Sequence, residues 1–226
     1  MPHWLQLMAE SFWPLLYAGL VFTVPLTLLS FAGGLSLGFV LALVRLFGPA
    51  PLVAVVHFYV WLIRGTPLLV QLFVIFYGLP SVGIVFDPFP AALLGFVLNV
   101  GAYTSEVIRA VIESVPKGQW ETAYSIGMSG SQAMRRTVLP QAARVAVPPL
   151  SNSFISLIKD TSLAAVLTVP EIFQAAQRIA AVTYEPLILY TETALIYLLF
   201  SSVLSALQGR LEQRFGQHAL ALGARA

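Results

Sequence analysis

The chain has 226 residues, of which 58% are hydrophobic and only 10% are charged, with 12 Lys and Arg against 10 Asp and Glu. Soluble domains typically carry about 25% charged residues, so this composition excludes a cytosolic enzyme, a disordered chain and a nucleic-acid-binding protein. The 226 residues contain no cysteine, which excludes a disulfide framework and a cysteine nucleophile. The sequence is therefore that of an integral membrane protein.

Five apolar stretches are long enough to cross a bilayer as helices, each crossing needing about 20 mostly apolar residues. The first is longer than one crossing needs, and we expect Pro14 and Pro25 to kink it. A loop around Asp87 precedes the third, and a polar connection over residues 171–185 leads to the fifth. The predicted fold class is all-α, one transmembrane domain over residues 1–226. The five spans are residues 13–44, 52–78, 91–111, 145–169 and 186–206.

Between the third and fourth spans, residues 113–144 turn polar and must lie outside the hydrocarbon. An apolar face at helical spacing predicts a short helix there, ended by Gly127. Ser129 and Gln132 fit a capping box that opens a second helix, which Pro140 would stop. Periodicity leaves two interpretations open, a helix-turn-helix that docks on a partner or a loop lying on lipid headgroups. The residues of the apolar face are Trp120, Ala123, Tyr124 and Gly127.

The cations are distributed asymmetrically along the chain. If the N-terminus lies outside, nine of the twelve Lys and Arg face the cytoplasm, and the outer loops hold only Arg178. Because cytoplasmic loops carry an excess of cations, this topology is favoured. It places the C-terminus and residues 113–144 in the cytoplasm. The nine cations are Arg45, Arg109, Lys117, Arg135, Arg136, Arg144, Arg210, Arg214 and Arg225.

The polar segment resembles the EAA loop of binding-protein-dependent ABC importers. Residues 121–123 read Glu-Thr-Ala, residue 127 is glycine, and residues 137–140 read Thr-Val-Leu-Pro. Thr122 and Thr137 depart from the usual alanine and aliphatic residue. In that family the loop forms a coupling helix that docks on the cytoplasmic ATPase. The residues that the resemblance assigns to coupling are Trp120, Glu121, Ala123, Tyr124, Gly127, Leu139 and Pro140.

Further motifs narrow the resemblance, which covers about residues 15–210. Residues 64–71 and 159–163 are similar to the polar-amino-acid permease branch, and residues 140–156 look like bacterial cystine permeases. The resemblance implies a type I ABC importer permease in the bacterial cytoplasmic membrane that carries a polar amino acid, with cystine the leading candidate. Its implied partners are a second permease copy in a homodimer, two ATPase subunits and an extracytoplasmic substrate-binding protein.

No Gly-x4-Gly-Lys-Ser/Thr loop is present in the 226 residues, so ATP and Mg are expected on the ATPase subunits. The chain is interpreted as a pore-forming subunit with no catalytic residues and no bound cofactor. The scattered histidines His3, His57 and His218 predict no metal site.

Polar residues at membrane depth are the candidates for substrate contact, since a mid-membrane charge costs roughly 2.5–3.5 kcal/mol and must face a cavity or the bundle interior. Glu106 and Asp160 could bind a substrate ammonium. Alternatively, they pair with Arg64, Arg109 or Lys159 and lock the helices together. The resemblance implies that this region lines the translocation cavity. The predicted substrate-pathway residues are Asn99, Tyr103, Glu106 and Asp160.

A break is predicted in the second span, where Gly65 and Pro67 flank Thr66. We expect Arg64 to donate to the carbonyls freed at this break, which gives the three residues Arg64, Gly65 and Pro67 a structural role. Contact between Arg64 and the substrate is the less favoured alternative. Glu192, in the fifth span, receives no assignment from sequence.

An ion-coupled secondary amino-acid transporter is the alternative function, with Glu106 and Asp160 as proton carriers. Five spans contain no inverted repeat, however, and that function leaves residues 113–144 without a role.

Overall fold

The computed structural model describes residues 2–223, with the backbone alone from residue 211 onward. Within this part the chain is helical and contains no strand. The helices are α1 His3–Ala18, α2 Val24–Phe47, α3 Ala50–Gly65, α4 Leu68–Phe73, α5 Pro88–Glu113, α6 Lys117–Ser125, α7 Gly130–Ala133, α8 Leu139–Asp160, α9 Ile172–Thr183 and α10 Pro186–Gly223. Arg225 lies outside the described residues, and the side chains of Arg214 and His218 are not described.

Three helical stretches are long and apolar enough to cross a membrane: His3–Phe47, Pro88–Glu113 and Pro186–Arg210. Two further pairs qualify only as broken spans. Ala50–Gly65 and Leu68–Val82 meet at 106°, and Gly130–Leu167 and Ile172–Thr183 meet at 49°. The break expected at Gly65 and Pro67 is thus present, and residues 52–78 are not one straight helix.

Each of the three wide π-helical turns in the described chain ends two residues before a proline. They cover Gly19–Thr23 before Pro25, Val74–Gly78 before Pro80, and Met134–Val138 before Pro140. Proline lacks an N–H, and its ring clashes with the carbonyl four residues earlier in a regular α-helix. A π-helical turn moves that carbonyl away from the ring, so the helix can continue through the proline.

The third of these turns corrects a sequence prediction. Pro140 does not stop the second helix of the polar segment, because the turn Met134–Val138 carries the chain without interruption from α7 into α8.

The closest helix contact joins α2 to α5. A Cβ added at Gly34 would lie 2.5 Å from the Val100 side chain, and one at Gly38 would collide with the Thr104 hydroxyl. Thr104 Oγ1 donates to the Val100 carbonyl of its own helix at 2.7 Å and also lies 3.2 Å from the Gly34 carbonyl oxygen. Two glycines four residues apart on one helix face let membrane helices approach closely, and here they fix α2 against α5.

Residues 171–185, predicted to be a polar connection, contain the helix α9. Its N-cap is Glu171, which is fully buried and accepts hydrogen bonds from the N–H groups of Phe173 and Gln174 at 2.9 and 2.7 Å. Tyr197 of α10 donates a third hydrogen bond to the same carboxyl group. The connection is helical because a buried side chain caps it and ties it to α10.

Two apolar clusters organise the bundle around the site. The larger one surrounds the fully buried Phe96 of α5 and includes Leu26 and Leu72. The smaller one lies at the other end of α5, where Ile112 packs with Met134 and where Trp120 of α6 joins. The polar segment is therefore anchored on the bundle by an apolar contact.

Candidate substrate cavity and coupling segment

A cavity of about 730 Å³ opens between the α3–α4 break, α5 and the end of α8. Its wall combines apolar residues with a set of polar side chains from all three elements. Three of the four predicted pathway residues lie in its lining, and Glu106 does not. The main polar residues of the lining are Arg64, Asn99, Tyr103, Asn152, Ser156 and Asp160.

The Glu106 carboxylate is held by three arginines. Its Oε1 lies 2.9 Å from Arg45 and 3.2 Å from Arg64, and its Oε2 lies 2.9 Å from Arg109. Arg109 also pairs with Glu113 at 2.7 Å. These contacts join α2, α3 and α5 at one point. The geometry is that of the helix-locking alternative, with Arg45 as a partner that the sequence did not indicate.

Asp160 is in the opposite situation. Its side chain is exposed to the cavity, and its carboxylate forms no hydrogen bond or ion pair within the described chain. On another wall the Arg64 side chain is 43% exposed, and its guanidinium lies 5.3 Å from the centre of the Tyr103 ring. The cavity thus presents one carboxylate and one guanidinium that are not paired with each other. Such a pair can receive the two charges of a zwitterion.

Gln71, and not Arg64, is the residue that donates hydrogen bonds to the carbonyls at the α3–α4 break. Its Nε2 donates to the Ile63 and Thr66 carbonyls at 2.7 and 3.1 Å, and its Oε1 accepts from Asn99 at 3.3 Å. The freed carbonyls are therefore bound by an amide, while the arginine is drawn to the Glu106 carboxylate. The sequence feature that could have indicated this role is that Gln71 is a single amide in an apolar run, one turn beyond the break.

Replacing Gln71 by leucine is expected to lower the free energy of unfolding by about 2–4 kcal/mol, since two carbonyls would lose their donor inside the membrane. Thermal unfolding of the purified chain in detergent measures this loss. Gln177→Leu, at an exposed position of α9, is the matched control. Equal melting temperatures for the two variants would show that the break does not depend on Gln71.

The end of α6 has the geometry that the sequence predicted. Gly127 has a φ of +79°, its N–H donates to the Tyr124 carbonyl at 2.9 Å, and the N–H of Met128 donates to the Ala123 carbonyl at 3.1 Å. This pair of bonds is a Schellman motif, which favours glycine at the left-handed position. The capping box is also confirmed, with both hydrogen bonds between Ser129 and Gln132 present.

The polar segment, residues 113–144, has one buried side and one exposed side. Ala123 is 2% exposed, and Trp120 and Leu139 pack against the cluster around Ile112. The other side carries Glu121 together with Tyr124 and Ile126, of which the last two are 49% and 68% exposed. Pro140 is exposed as well. The segment therefore offers an apolar and acidic surface that no described residue covers.

The family model described as binding-protein-dependent transport system inner membrane component matches residues 34–217. The chain belongs to this family, so it is the permease component of a binding-protein-dependent importer and a multi-pass protein of the inner membrane. The family resemblance read from residues 121–140 is thereby confirmed.

Individual relatives cover nearly the whole chain. The L-cystine transport system permease protein TcyB of Bacillus subtilis is 52% identical over 214 residues, 94% of this chain and 92% of that protein. The glutamine transport system permease protein GlnP of Escherichia coli is 37% identical over 203 residues, 89% of this chain and 93% of its own.

Among solved structures, a crystal structure of an amino acid ABC transporter with histidines superposes with a TM-score of 0.86 at 36% identity, covering 92% of this chain and 97% of that one. An inward-facing structure of the MetNI methionine ABC transporter superposes with a TM-score of 0.69 at 17% identity, covering 95% and 99% of the two chains. At 17% identity, the similarity to the methionine transporter shows a shared fold only.

Proposed function

We propose that this chain is the subunit through which an ATP-driven importer moves an amino acid, cystine in the first place, across the bacterial cytoplasmic membrane. The observation that carries the proposal is the cavity that exposes Arg64 and Asp160 on different walls, because an amino acid needs partners for both of its charges. The 52% sequence identity to the cystine permease TcyB supports cystine as the substrate.

The cavity residues receive distinct roles in this proposal. Asp160 binds the substrate ammonium, and Arg64 binds the substrate carboxylate. Asn99 and Tyr103 hydrogen-bond the remainder of the molecule. Without substrate, Glu106 positions Arg64 through their ion pair. When Arg64 binds the substrate carboxylate, Glu106 remains paired with Arg45 and Arg109. In a homodimer two copies of the Arg64 and Asp160 pair would face one pore, which suits a substrate with two amino-acid ends.

The proposed topology has five spans, with each bent helix pair crossing the membrane once. The N-terminus lies outside and the C-terminus in the cytoplasm, as the distribution of Lys and Arg favours. The polar segment, residues 113–144, is the proposed coupling segment. It then faces the cytoplasm, next to the Arg109–Glu113 end of α5.

We propose that the exposed side of the coupling segment docks on a cytoplasmic ATPase subunit, one for each copy of the permease. Tyr124 and Ile126 supply apolar contact area, and Glu121 supplies a charge that orients the contact. ATP and Mg bind to the ATPase subunits, and an extracytoplasmic binding protein delivers the amino acid. Closure of the ATPases around ATP draws the two coupling segments together, and this differential binding biases the cavity between its two orientations.

Reconstituted uptake tests the proposed function. Proteoliposomes that contain the permease with its ATPase and binding protein should accumulate labelled cystine only when ATP is supplied. Uptake by the permease alone, driven by a proton gradient, would instead establish the ion-coupled secondary transporter.

Replacing Gly127 by aspartate is expected to abolish co-purification of the ATPase while leaving the permease dimer intact. The change places a side chain on the docking surface and strains the left-handed backbone by about 1–2 kcal/mol. Gly83→Asp is the matched control, because Gly83 also has a positive φ, +85°, and also faces open space. ATPase binding that is equal in the two variants would remove the coupling role from Gly127.

A further inference from the structure

A second groove, of about 580 Å³, lies between α1 and α10, away from the substrate cavity. The two helices run parallel, since Leu7 packs in one cluster with Leu189 and Ser11 contacts Glu192 a turn further along. Their N-terminal ends therefore face the same side of the membrane. The lining is apolar apart from one side chain, and it includes Trp4, Met8, Phe12, Glu192, Leu195 and Leu199.

The exception is Glu192, which is only 3% exposed. Ser11 Oγ donates to its Oε2 at 2.5 Å. Its Oε1 is buried and has no hydrogen-bond partner in the described part of the chain, and no described cation forms an ion pair with it. A buried acceptor without a donor is costly, so the site favours a ligand that brings an N–H or O–H donor.

The depth of Glu192 indicates where this donor comes from. Six residues separate Glu192 from Pro186 at the start of α10, a rise of about 9 Å. The headgroup region on each side of a bilayer is about 5–7 Å thick. Glu192 therefore lies close to the boundary between headgroups and hydrocarbon. Leu195 and Leu199 lie about one and two turns deeper, and Trp4 lies toward the surface, where tryptophan is enriched.

A carboxyl group at the headgroup boundary followed by an apolar channel matches one class of molecule. We propose that the groove binds an aminophospholipid, whose primary ammonium donates to Glu192 Oε1 while an acyl chain lies along Leu195 and Leu199. Phosphatidylethanolamine has three N–H donors at this ammonium, and phosphatidylcholine has none. The groove thus distinguishes the two lipids by hydrogen bonding and not by charge, since both headgroups are zwitterionic. This inference depends on the membrane location of the chain and not on the proposed substrate.

The test uses the full chain, purified in mild detergent and mixed with four lipids of identical acyl chains. These are phosphatidylethanolamine, its N-methyl and N,N-dimethyl forms, and phosphatidylcholine. Native mass spectrometry measures the lipid retained. Because one N–H is enough for Oε1, the first three lipids should be retained within about twofold of one another, and phosphatidylcholine about tenfold less, the effect of one charge-assisted hydrogen bond. A gradual decline with each methyl group, or equal retention of all four lipids, would overturn the proposal.

Two variants locate the effect. Glu192→Gln removes the charge while keeping the shape of the side chain, and it should reduce the preference for phosphatidylethanolamine over phosphatidylcholine to about twofold or less. Glu10→Gln removes an exposed carboxylate of α1 that is bonded to Gln6, and it should leave the preference unchanged. An unchanged preference in Glu192→Gln would contradict the assignment. If that variant does not fold, the methylation series on the unaltered chain decides.

Discussion

Replacing Gly38 by valine is expected to prevent accumulation of the folded permease. A Cβ at this position would collide with Thr104 Oγ1 and would lie 2.9 Å from the Ser105 nitrogen and 3.0 Å from the Gly101 carbonyl oxygen. The last two are backbone atoms of α5, so no change of rotamer relieves them and the helices must separate. Overpacking of this kind costs up to about 3 kcal/mol and occasionally more, out of a total stability of about 5–15 kcal/mol.

The separation would also break a polar contact. Thr104 Oγ1 lies 3.2 Å from the Gly34 carbonyl and 2.7 Å from the Val100 carbonyl, and movement of α2 removes the interhelical member of this pair. Size-exclusion chromatography of detergent extracts measures the folded fraction. Gly209→Val in α10 is the matched control, because a Cβ there meets nothing within 4 Å. Normal yield and melting temperature for Gly38→Val would show that α2 and α5 do not depend on close approach.

The features that the sequence predicted correctly are local ones. Gly127 ends α6, and Ser129 and Gln132 form a capping box, because both depend on residues within one turn of each other. The Gly65 and Pro67 break likewise follows from the conformational limits of those two residues. The spacing of Gly34 and Gly38 is a local signal of the same kind, since two glycines four residues apart on one face allow close helix packing.

The features that were not predicted from the sequence depend on contacts between residues that are distant in the chain. The Glu171 cap of α9 is stabilised by Tyr197, 26 residues further on. The predicted span over residues 91–111 correctly placed Glu106 on the same helix as Asn99. The sequence could not show that Arg45 of α2 comes within 2.9 Å of the Glu106 carboxylate. Gln71, and not Arg64, binds the carbonyls at the break, and only the packed structure shows that the Glu106 carboxylate lies 3.2 Å from Arg64.

Replacing Asp160 by asparagine is expected to reduce cystine uptake at least about tenfold without changing the stability of the permease. The carboxylate has no hydrogen-bond or ion-pair partner in the described chain, so the fold loses nothing when its charge is removed. A hydrogen bond to a charged group contributes about 1.5–3 kcal/mol, and each 1.4 kcal/mol corresponds to a factor of about ten in affinity. The expected loss is therefore one to two orders of magnitude, and it arises in the cavity.

The measurement separates this role from helix locking. Uptake is followed in proteoliposomes with the ATPase and binding protein present, and the melting temperature of each variant is recorded in detergent. Asp87→Asn, at an exposed position outside the cavity lining, should leave both quantities unchanged. A fall in melting temperature that parallels the fall in uptake would make Asp160 a structural residue. Uptake equal to that of the unaltered chain would remove Asp160 from the substrate pathway. Stability retained while uptake is lost is the result expected for an unpaired carboxylate that lines the same cavity as Arg64.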